Sequence, residues 1–468
     1  MGLSKLPLLK ISVSCRYNAE LENLRAKYGP IVRIGPREVM ISDAASLKKM
    51  SSVRSAYTKD QSYTAARLCP PEDNVFTMRD EEKRKDLKMK MIPGYSGREA
   101  GGFEPSIDKF IHELTDLIDR KYISTATTFR PLNWAATAQF FALDVVSHAG
   151  FGHELGYLAH DSDLYRFIEI SASYLPVMWV VSSMPWVMTL LHRRSFCYLL
   201  PHEGQNIGFG RLMGFAKETV DARTRPGAKP GADILQGHIN QEVSRNDLIQ
   251  DVFLMLLAGS ETVATALRMT LLVLLSSPRA YITLQSEIDA AVRSGAILPA
   301  PSVVTEAQAR SLPYLQAVIF EALRLYPPAS GLKHKQVPEA GVVEHGYCLP
   351  AGTQVAQNIA GITRNPELFA PDPKVFRPER WVDARADEED AQQYRAMREA
   401  VDLVFGYGKY QCMGKGTALM ELNKVIVELL RRYDFAAVDP TCPAKVKDMP
   451  FWVVGDFWVR VTRRDTVA

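Results

Sequence analysis

Cysteine is scarce in this 468-residue chain, and the six that occur (Cys15, Cys69, Cys197, Cys348, Cys412 and Cys442) stand far apart. With no C-x-x-C pair and no short stapled scaffold, the pattern fits a reducing compartment. An excess of one charge is lacking too. The 56 basic and 53 acidic residues leave +3, a field too weak to argue for nucleic acid as a partner. The first twenty residues hold no long hydrophobic run, because Lys5, Lys10 and Arg16 interrupt it. That excludes a signal-peptide core and a spanning helix there, and Leu6 stands where a myristoylation signal needs Ser or Thr. As written, the chain is expected to be soluble, and it shows no internal repeat.

What is present is an average globular composition, 47% hydrophobic and 23% charged. The length exceeds the usual single core, so two or three domains or one large fold are the options. YGPIVRIGPREVMIS, Tyr28 to Ser42, reads as a β-hairpin between Gly-Pro turns. Helical periodicity then dominates: Ile107 to Lys121, Ala135 to Gly150, Leu164 to Tyr174, Ile207 to Ala222, Arg245 to Leu275 and Arg279 to Val292. Strand-like pieces return at Val342 to Leu349, Gln354 to Gln357 and Phe451 to Val461. The expected class is mainly α with a small β region. RTRPGAKPGAD, Arg223 to Asp233, reads as an exposed loop. LPVMWVVSSMPWVMTLL, Leu175 to Leu191, is almost wholly apolar yet carries Pro176 and Pro185. It is either a buried helix pair or a hydrophobic rim that meets a membrane or a substrate entrance.

The most informative stretch is FGYGKYQCMGKGTALMELNK, Phe405 to Lys424, in which a glycine-rich loop delivers Cys412 to the start of an amphipathic helix. Gly406 and Gly408 permit the positive φ of a tight loop, and Gly414 lets the helix approach a flat partner with no Cβ in the way. At a helix N-terminus the free N–H groups and the dipole favour thiolate, the form that ligates iron. A lone cysteine is usually an inert core residue. Upstream, FEALRLYPP places Glu321 and Arg324 on one helix face, although E-x-x-R alone is expected about once by chance in such a chain. DLIQDVFLMLLAGSETVATALRMTLLVLL reads as one long helix with a polar notch at Ala258, Gly259, Ser260, Glu261 and Thr262.

The cysteine stretch resembles the F-x-x-G-x-R-x-C-x-G haem loop of the cytochrome P450 family, with Phe405, Gly408, Cys412 and Gly414 in register. Lys409 replaces the family's Arg, keeping the charge that reaches a haem propionate but losing the bidentate fork. The resemblance implies thiolate-ligated haem b with Cys412 as iron ligand, opposite a dioxygen whose O–O bond the thiolate helps to cleave. It makes Glu321, Arg324 and Arg380 of FRPERW a structural triad behind the haem loop. The notch resembles the A/G-G-x-E/D-T signature, where Ala258 and Gly259 open the helix, Thr262 orients dioxygen and its water, and Glu261 relays protons. MRDEEKRKDLKMKMIPGYS resembles the family's basic helix and places Arg84 and Lys88 on propionates, with Lys335 of GLKHKQVPEAG in the same role. Substrate contacts are expected from Phe76, Leu257, Gly331, Leu332 and Phe451, and their apolar character implies an apolar ligand.

The resemblance runs from about Tyr28 to near Val461 and is similar to fungal microsomal members of secondary metabolism. It divides the chain into residues 1–27, an N-terminal segment without an anchor, and residues 28–468, a triangular cytochrome P450 fold enclosing one haem. The implied reaction is hydroxylation, epoxidation or a related oxidation of an apolar small molecule by a monomer. Electrons come from NADPH through a separate reductase, with or without cytochrome b5 as a second donor, and Lys409, Lys415 and Lys424 either form its docking patch or serve ordinary solubility. The implied location is the cytosolic face of the endoplasmic reticulum membrane if an anchor has been trimmed, and otherwise the cytoplasm. Two alternatives share the same iron ligand: coupling, isomerisation or dehydration without oxygen insertion, and a non-catalytic haem sensor. The intact notch argues against both.

Overall fold

The periodicity that marks helices in the sequence is followed closely by the computed structural model, which describes residues 4–67, 72–97, 101–191, 208–386 and 391–464. Cys69 and Cys197 lie outside the described residues. The expected helices appear as Glu104–Leu117, Trp134–Phe151, Phe167–Ser182, Gly208–Thr224 and Pro278–Arg293. The long helix Arg245–Leu275 is interrupted by one π turn at Met255–Gly259. It is long and apolar enough to cross a membrane, yet 72% of its apolar window is buried inside the protein. Its length therefore serves the core, where it packs along Trp134–Phe151 and the helices Pro313–Leu325 and Lys415–Arg432.

The hairpin at Tyr28 to Ser42 forms as Ile31–Gly35 and Glu38–Ile41, with Ile31 opposite Ile41 and a bulge between Arg33 and Gly35. Glu38–Ile41 then runs parallel to Gln354–Gln357, which pairs antiparallel with Lys333–Gln336, and Thr58–Lys59 closes this five-stranded sheet. A three-stranded sheet joins Leu132–Asn133, Trp458–Arg463 and Tyr433–Ala437. The stretch Val342 to Leu349 is a hairpin rather than one strand, because His345 and Gly346 take positive φ between its arms. Phe451 to Val461 likewise splits into Val453–Gly455 and part of Trp458–Arg463. The loop expected from Arg223 begins after Thr224 and ends at Asp233, whose side chain caps Ile234–Asn240.

Residues ahead of the hairpin are part of the same fold. Leu8, Ile11, Tyr17 and Leu21, on helices Leu6–Val13 and Tyr17–Tyr28, are buried against Val32, Ile34, Met40, Leu332 and Ala356. The boundary expected at residue 28 falls inside this cluster. The apolar run from Leu175 divides into Phe167–Ser182 and Pro185–Leu191 at Ser183 and Met184, and it meets both descriptions in part. Leu175 and Met178 are buried, whereas Val177 and Trp186 are largely exposed.

Candidate active site

The cysteine loop is held by its backbone. Cys412 N–H donates to the Phe405 carbonyl at 2.7 Å, closing the loop on itself. Gly406 and Gly408 both have positive φ, and a Cβ on Gly408 would lie 2.3 Å from the Ser51 carbonyl oxygen. Only glycine fits there. A Cβ on Gly414 or Gly416 would meet nothing within 4 Å, so one face of this helix start is open to a flat ligand. The Cys412 thiol is accessible from that side although the residue lies deep in the protein.

Burial pushes the Cys412 thiol up, and this outweighs the Gly414 N–H, the Lys333 and Lys88 charges and the Lys415 N–H, which pull it down. The helix-terminus N–H groups thus favour the thiolate, as expected, against the opposing effect of burial. Helix Lys415–Arg432 begins three residues after Cys412, so only the edge of its dipole reaches the sulfur. Metal coordination deprotonates such a thiol outright.

In the long helix, the π turn Met255–Gly259 leaves Ala258 exposed after the buried Met255, Leu256 and Leu257. Gly259 is required by packing: a Cβ there would stand 2.7 Å from Val146 Cγ2 on Trp134–Phe151. Ser260 and Thr262 hydroxyls donate back to the Leu256 and Ala258 carbonyls at 2.5 and 2.8 Å, tying off the widened turn. Glu261 is turned elsewhere. Its carboxylate accepts from Gln139 Nε2 at 2.5 Å and pairs with buried Arg268 at 3.2 Å, while Arg268 also donates to the Ala135 carbonyl and Gln139. Glu261, expected to relay protons, thus has a structural part as well, its carboxylate clamping two helices.

The triad residues converge. Arg324 holds both Glu321 oxygens at 2.8 Å, and Arg380 Nε reaches Glu321 Oε1 at 2.9 Å. Trp381 Nε1, which the sequence reading passed over, donates to Glu321 Oε2 at 2.8 Å. Burial pushes the Glu321 carboxyl up, but the Arg324 hydrogen bonds and charge, with Arg380, win and hold it below the usual range. The remaining guanidinium N–H groups fasten carbonyls of Thr363, Phe369, Pro371, Asp372, Pro373 and Val375.

Basic residues gather beside Tyr410. Lys335 is buried with its ammonium 3.2 Å from the Tyr410 ring centre, and burial drives its pKa well below normal. Lys59, absent from the sequence-based set, is buried nearby and burial lowers its pKa to about 7. Arg84 and Lys88 donate to the Lys409 carbonyl, and Arg84 pairs with Glu81. Lys409, expected on a propionate, belongs to the same cluster: its ammonium donates to the Ser55 and Tyr57 carbonyls at 2.9 Å, pairs with Glu81 and lies 5.2 Å from the Tyr410 ring centre.

Lys424 does not belong to the docking patch expected from Lys409, Lys415 and Lys424. Lys424 is fully buried between Glu104 and Asp108 at 2.5 and 2.7 Å, and Lys415 pairs with Asp402. Of the expected substrate contacts, Phe76 and Leu332 line a small apolar cleft with Tyr63, Met178, Trp179 and Lys333. Phe451 and Gly331 back it, since both touch Trp179. Leu257 is buried inside the π turn and does not line this cleft.

An open-faced thiol, glycines that leave room for a plane, and buried cations outnumbering their carboxylate partner fit haem, whose two propionates would meet Lys335, Lys59, Arg84 and Lys88. The comparisons agree. The cytochrome P450 family model matches residues 5–454. The chain is 38% identical over 448 residues to "Cytochrome P450 monooxygenase ABA1" of Pyricularia oryzae strain 70-15, covering 95% of this chain and 86% of that protein. It is 35% identical over 465 residues to "Cytochrome P450 monooxygenase aba1" of Botryotinia fuckeliana strain B05.10, covering 99% and 90%. A crystal structure of the cytochrome P450DA heme domain superposes with a TM-score of 0.76 at 20% identity, over 99% of this chain and 97% of that one. The chain belongs to the cytochrome P450 family and is a monooxygenase of the kind found in fungal secondary metabolism.

Proposed function

We propose that this monooxygenase hydroxylates, epoxidises or similarly oxidises an apolar small molecule, an intermediate of secondary metabolism, with two electrons from an NADPH-dependent flavoprotein reductase. The carrying observation is an accessible Cys412 thiol, in the loop ahead of helix Lys415–Arg432, together with an open π turn at Ala258 on the long helix that packs against that helix. Bound haem supplies the reductive activation of dioxygen. The chain supplies the rest. Cys412 would ligate the iron, with Lys335, Lys59, Arg84 and Lys88 on the propionates. Thr262 donates its proton to the Ala258 carbonyl, which leaves the hydroxyl oxygen's lone pairs to accept from a water and hold it at the notch. Glu261 and Arg268 fix the helix that carries that hydroxyl. The aromatic cleft around Trp179 would bind the substrate and exclude water.

The electron entry face would be the helix Glu81–Tyr95. Lys88 of this helix donates to the Gln411 carbonyl beside Cys412, and Lys85 one turn earlier is 60% exposed. The exposed Trp186 and Val177 support contact with the cytosolic face of a membrane. Mass spectrometry of products formed under labelled dioxygen, with reductase and a library of terpenoid, polyketide and alkaloid candidates, tests the reading. One labelled oxygen in the product is expected, and a product formed without label or without reductant would overturn it.

A further inference from the structure

We propose that Lys333 selects a carboxylate on the substrate, so that the ligand is an apolar carboxylic acid held at one end of the Trp179 cleft. This deepens the monooxygenase reading above and rests on it for the identity of the cleft. Lys333 lies on the strand Lys333–Gln336 and lines the cleft with Tyr63, Phe76, Met178, Trp179 and Leu332. Its neighbours on the strand are accounted for: His334 pairs with Glu38, and Lys335 stacks on Tyr410. Lys333 is different. Among the described residues its ammonium has no carboxylate within ion-pair distance and no hydrogen bond, and the residue lines the cleft.

A second donor, on another residue that lines the cleft, is also unanswered. The Trp179 indole N–H is buried and finds no acceptor among the described residues. Among the described residues, the cleft has no spare anion to offer either of them. The Ser62 hydroxyl donates to Asp60 and the Ser182 hydroxyl to the Trp179 carbonyl at 2.7 Å. Trp179 is pinned in place by Phe451, with ring centres 5.4 Å apart, and by Gly331, where a Cβ would lie 3.0 Å from the indole ring. A cation and a neutral N–H without acceptors, set in aromatic walls, match one monoanion with two oxygens on an apolar body.

The test uses purified haem-loaded protein and straight-chain acids from octanoic to hexadecanoic, each beside its methyl ester. Affinity is read by equilibrium dialysis and by the shift of the haem absorption band. The expected result is acid over ester by at least about tenfold, the size of a charge-assisted hydrogen bond. Lys333→Met should erase that preference while leaving ester affinity within about twofold and the reduced carbon monoxide band intact. Trp179→Phe should reduce acid affinity several-fold. Equal affinity for acid and ester in the wild type, binding of no acid in the series, or a preference that survives Lys333→Met overturns the proposal. So does haem loss in Lys333→Met, which would put the ammonium on the haem's own carboxylates. A wild type lacking the carbon monoxide band removes the monooxygenase reading instead, and dialysis then still decides for or against Lys333.

Discussion

Arg324 grips both oxygens of Glu321 at 2.8 Å, and neither side chain has any accessible surface. Such a pair is costly to break, because removing one member strands the other's charge in the interior, at about 3 to 5 kcal/mol. Glu321→Gln and Arg324→Lys are expected to give protein with little retained haem and a lowered melting temperature, rather than loaded enzyme that turns over slowly. Trp381→Phe removes one hydrogen bond and should cost about 1 to 3 kcal/mol. Haem content and thermal unfolding check all three.

The N-terminal helix is fastened by a buried charge cluster. Burial pushes the Glu38 carboxyl up, but the His334 charge and hydrogen bond and the Lys5 charge bring it down to about 2. Burial pulls His334 down, but Glu38 wins and holds it above its ordinary 6.5. A lowered carboxylate contributes stability above its unfolded value near 4.5 and loses it as pH falls toward about 2, roughly 3 kcal/mol in all. A raised histidine contributes fully below 6.5 and loses its share as pH rises through its folded value. Stability from this pair should therefore be greatest between about pH 4.5 and 6.5. His334→Gln should flatten both limbs in pH-dependent denaturant unfolding, and an unchanged acid limb would count against the assignment.

Reductase docking separates the outer face of helix Glu81–Tyr95 from the buried Lys424. Lys85→Glu should raise the reductase concentration needed for half-maximal turnover several-fold, more so at low salt, with no change in melting temperature. Lys424→Met should do the reverse: it leaves Glu104 and Asp108 without their cation, so stability falls while the reductase requirement stays. Steady-state kinetics across reductase and salt concentrations distinguish the two.

How far the sequence reaches can be seen residue by residue. Cys412, Gly408 and Gly414 are legible because a tight loop, a close approach and an open face each demand a residue type within ten positions. Glu321 and Arg324 are legible because they are one helical turn apart, and Arg380 because FRPERW is distinctive. Lys424 misleads, since a lysine on an amphipathic helix reads as solvated until Glu104 and Asp108 arrive from another helix. Lys59 and Lys333 sit in strands of two and four residues, too short for a burial pattern, and their neighbours come from distant segments. Arg268 was within reach: it lies seven residues after Glu261, two turns along the same face. The placing of Lys409 was not, because its partners Ser55, Tyr57 and Glu81 come from distant segments.

Thr262 and Glu261 are adjacent in sequence but do different work, and two substitutions should separate them. The Thr262 hydroxyl is spent as a donor on the Ala258 carbonyl and retains its acceptor lone pairs at the open turn. Thr262→Ala therefore removes a water-holding group without disturbing a buried charge. It should keep haem, stability and substrate affinity and continue to consume NADPH. Product per NADPH should fall by on the order of 10- to 100-fold, with hydrogen peroxide released in its place, since positioned proton delivery is worth about 10²- to 10⁴-fold. Glu261 answers to Arg268, which is buried and whose pKa is lowered by burial against the opposing Glu261 charge. Glu261→Gln keeps a hydrogen-bonding side chain but leaves the guanidinium without its anion. Its melting temperature should drop, and its coupling of NADPH to product should stay near that of the wild type. Turnover, peroxide yield and thermal unfolding measured on both variants decide the matter. A stable Glu261→Gln protein with peroxide leakage as large as that of Thr262→Ala would return Glu261 to proton delivery and make its contact with Arg268 incidental.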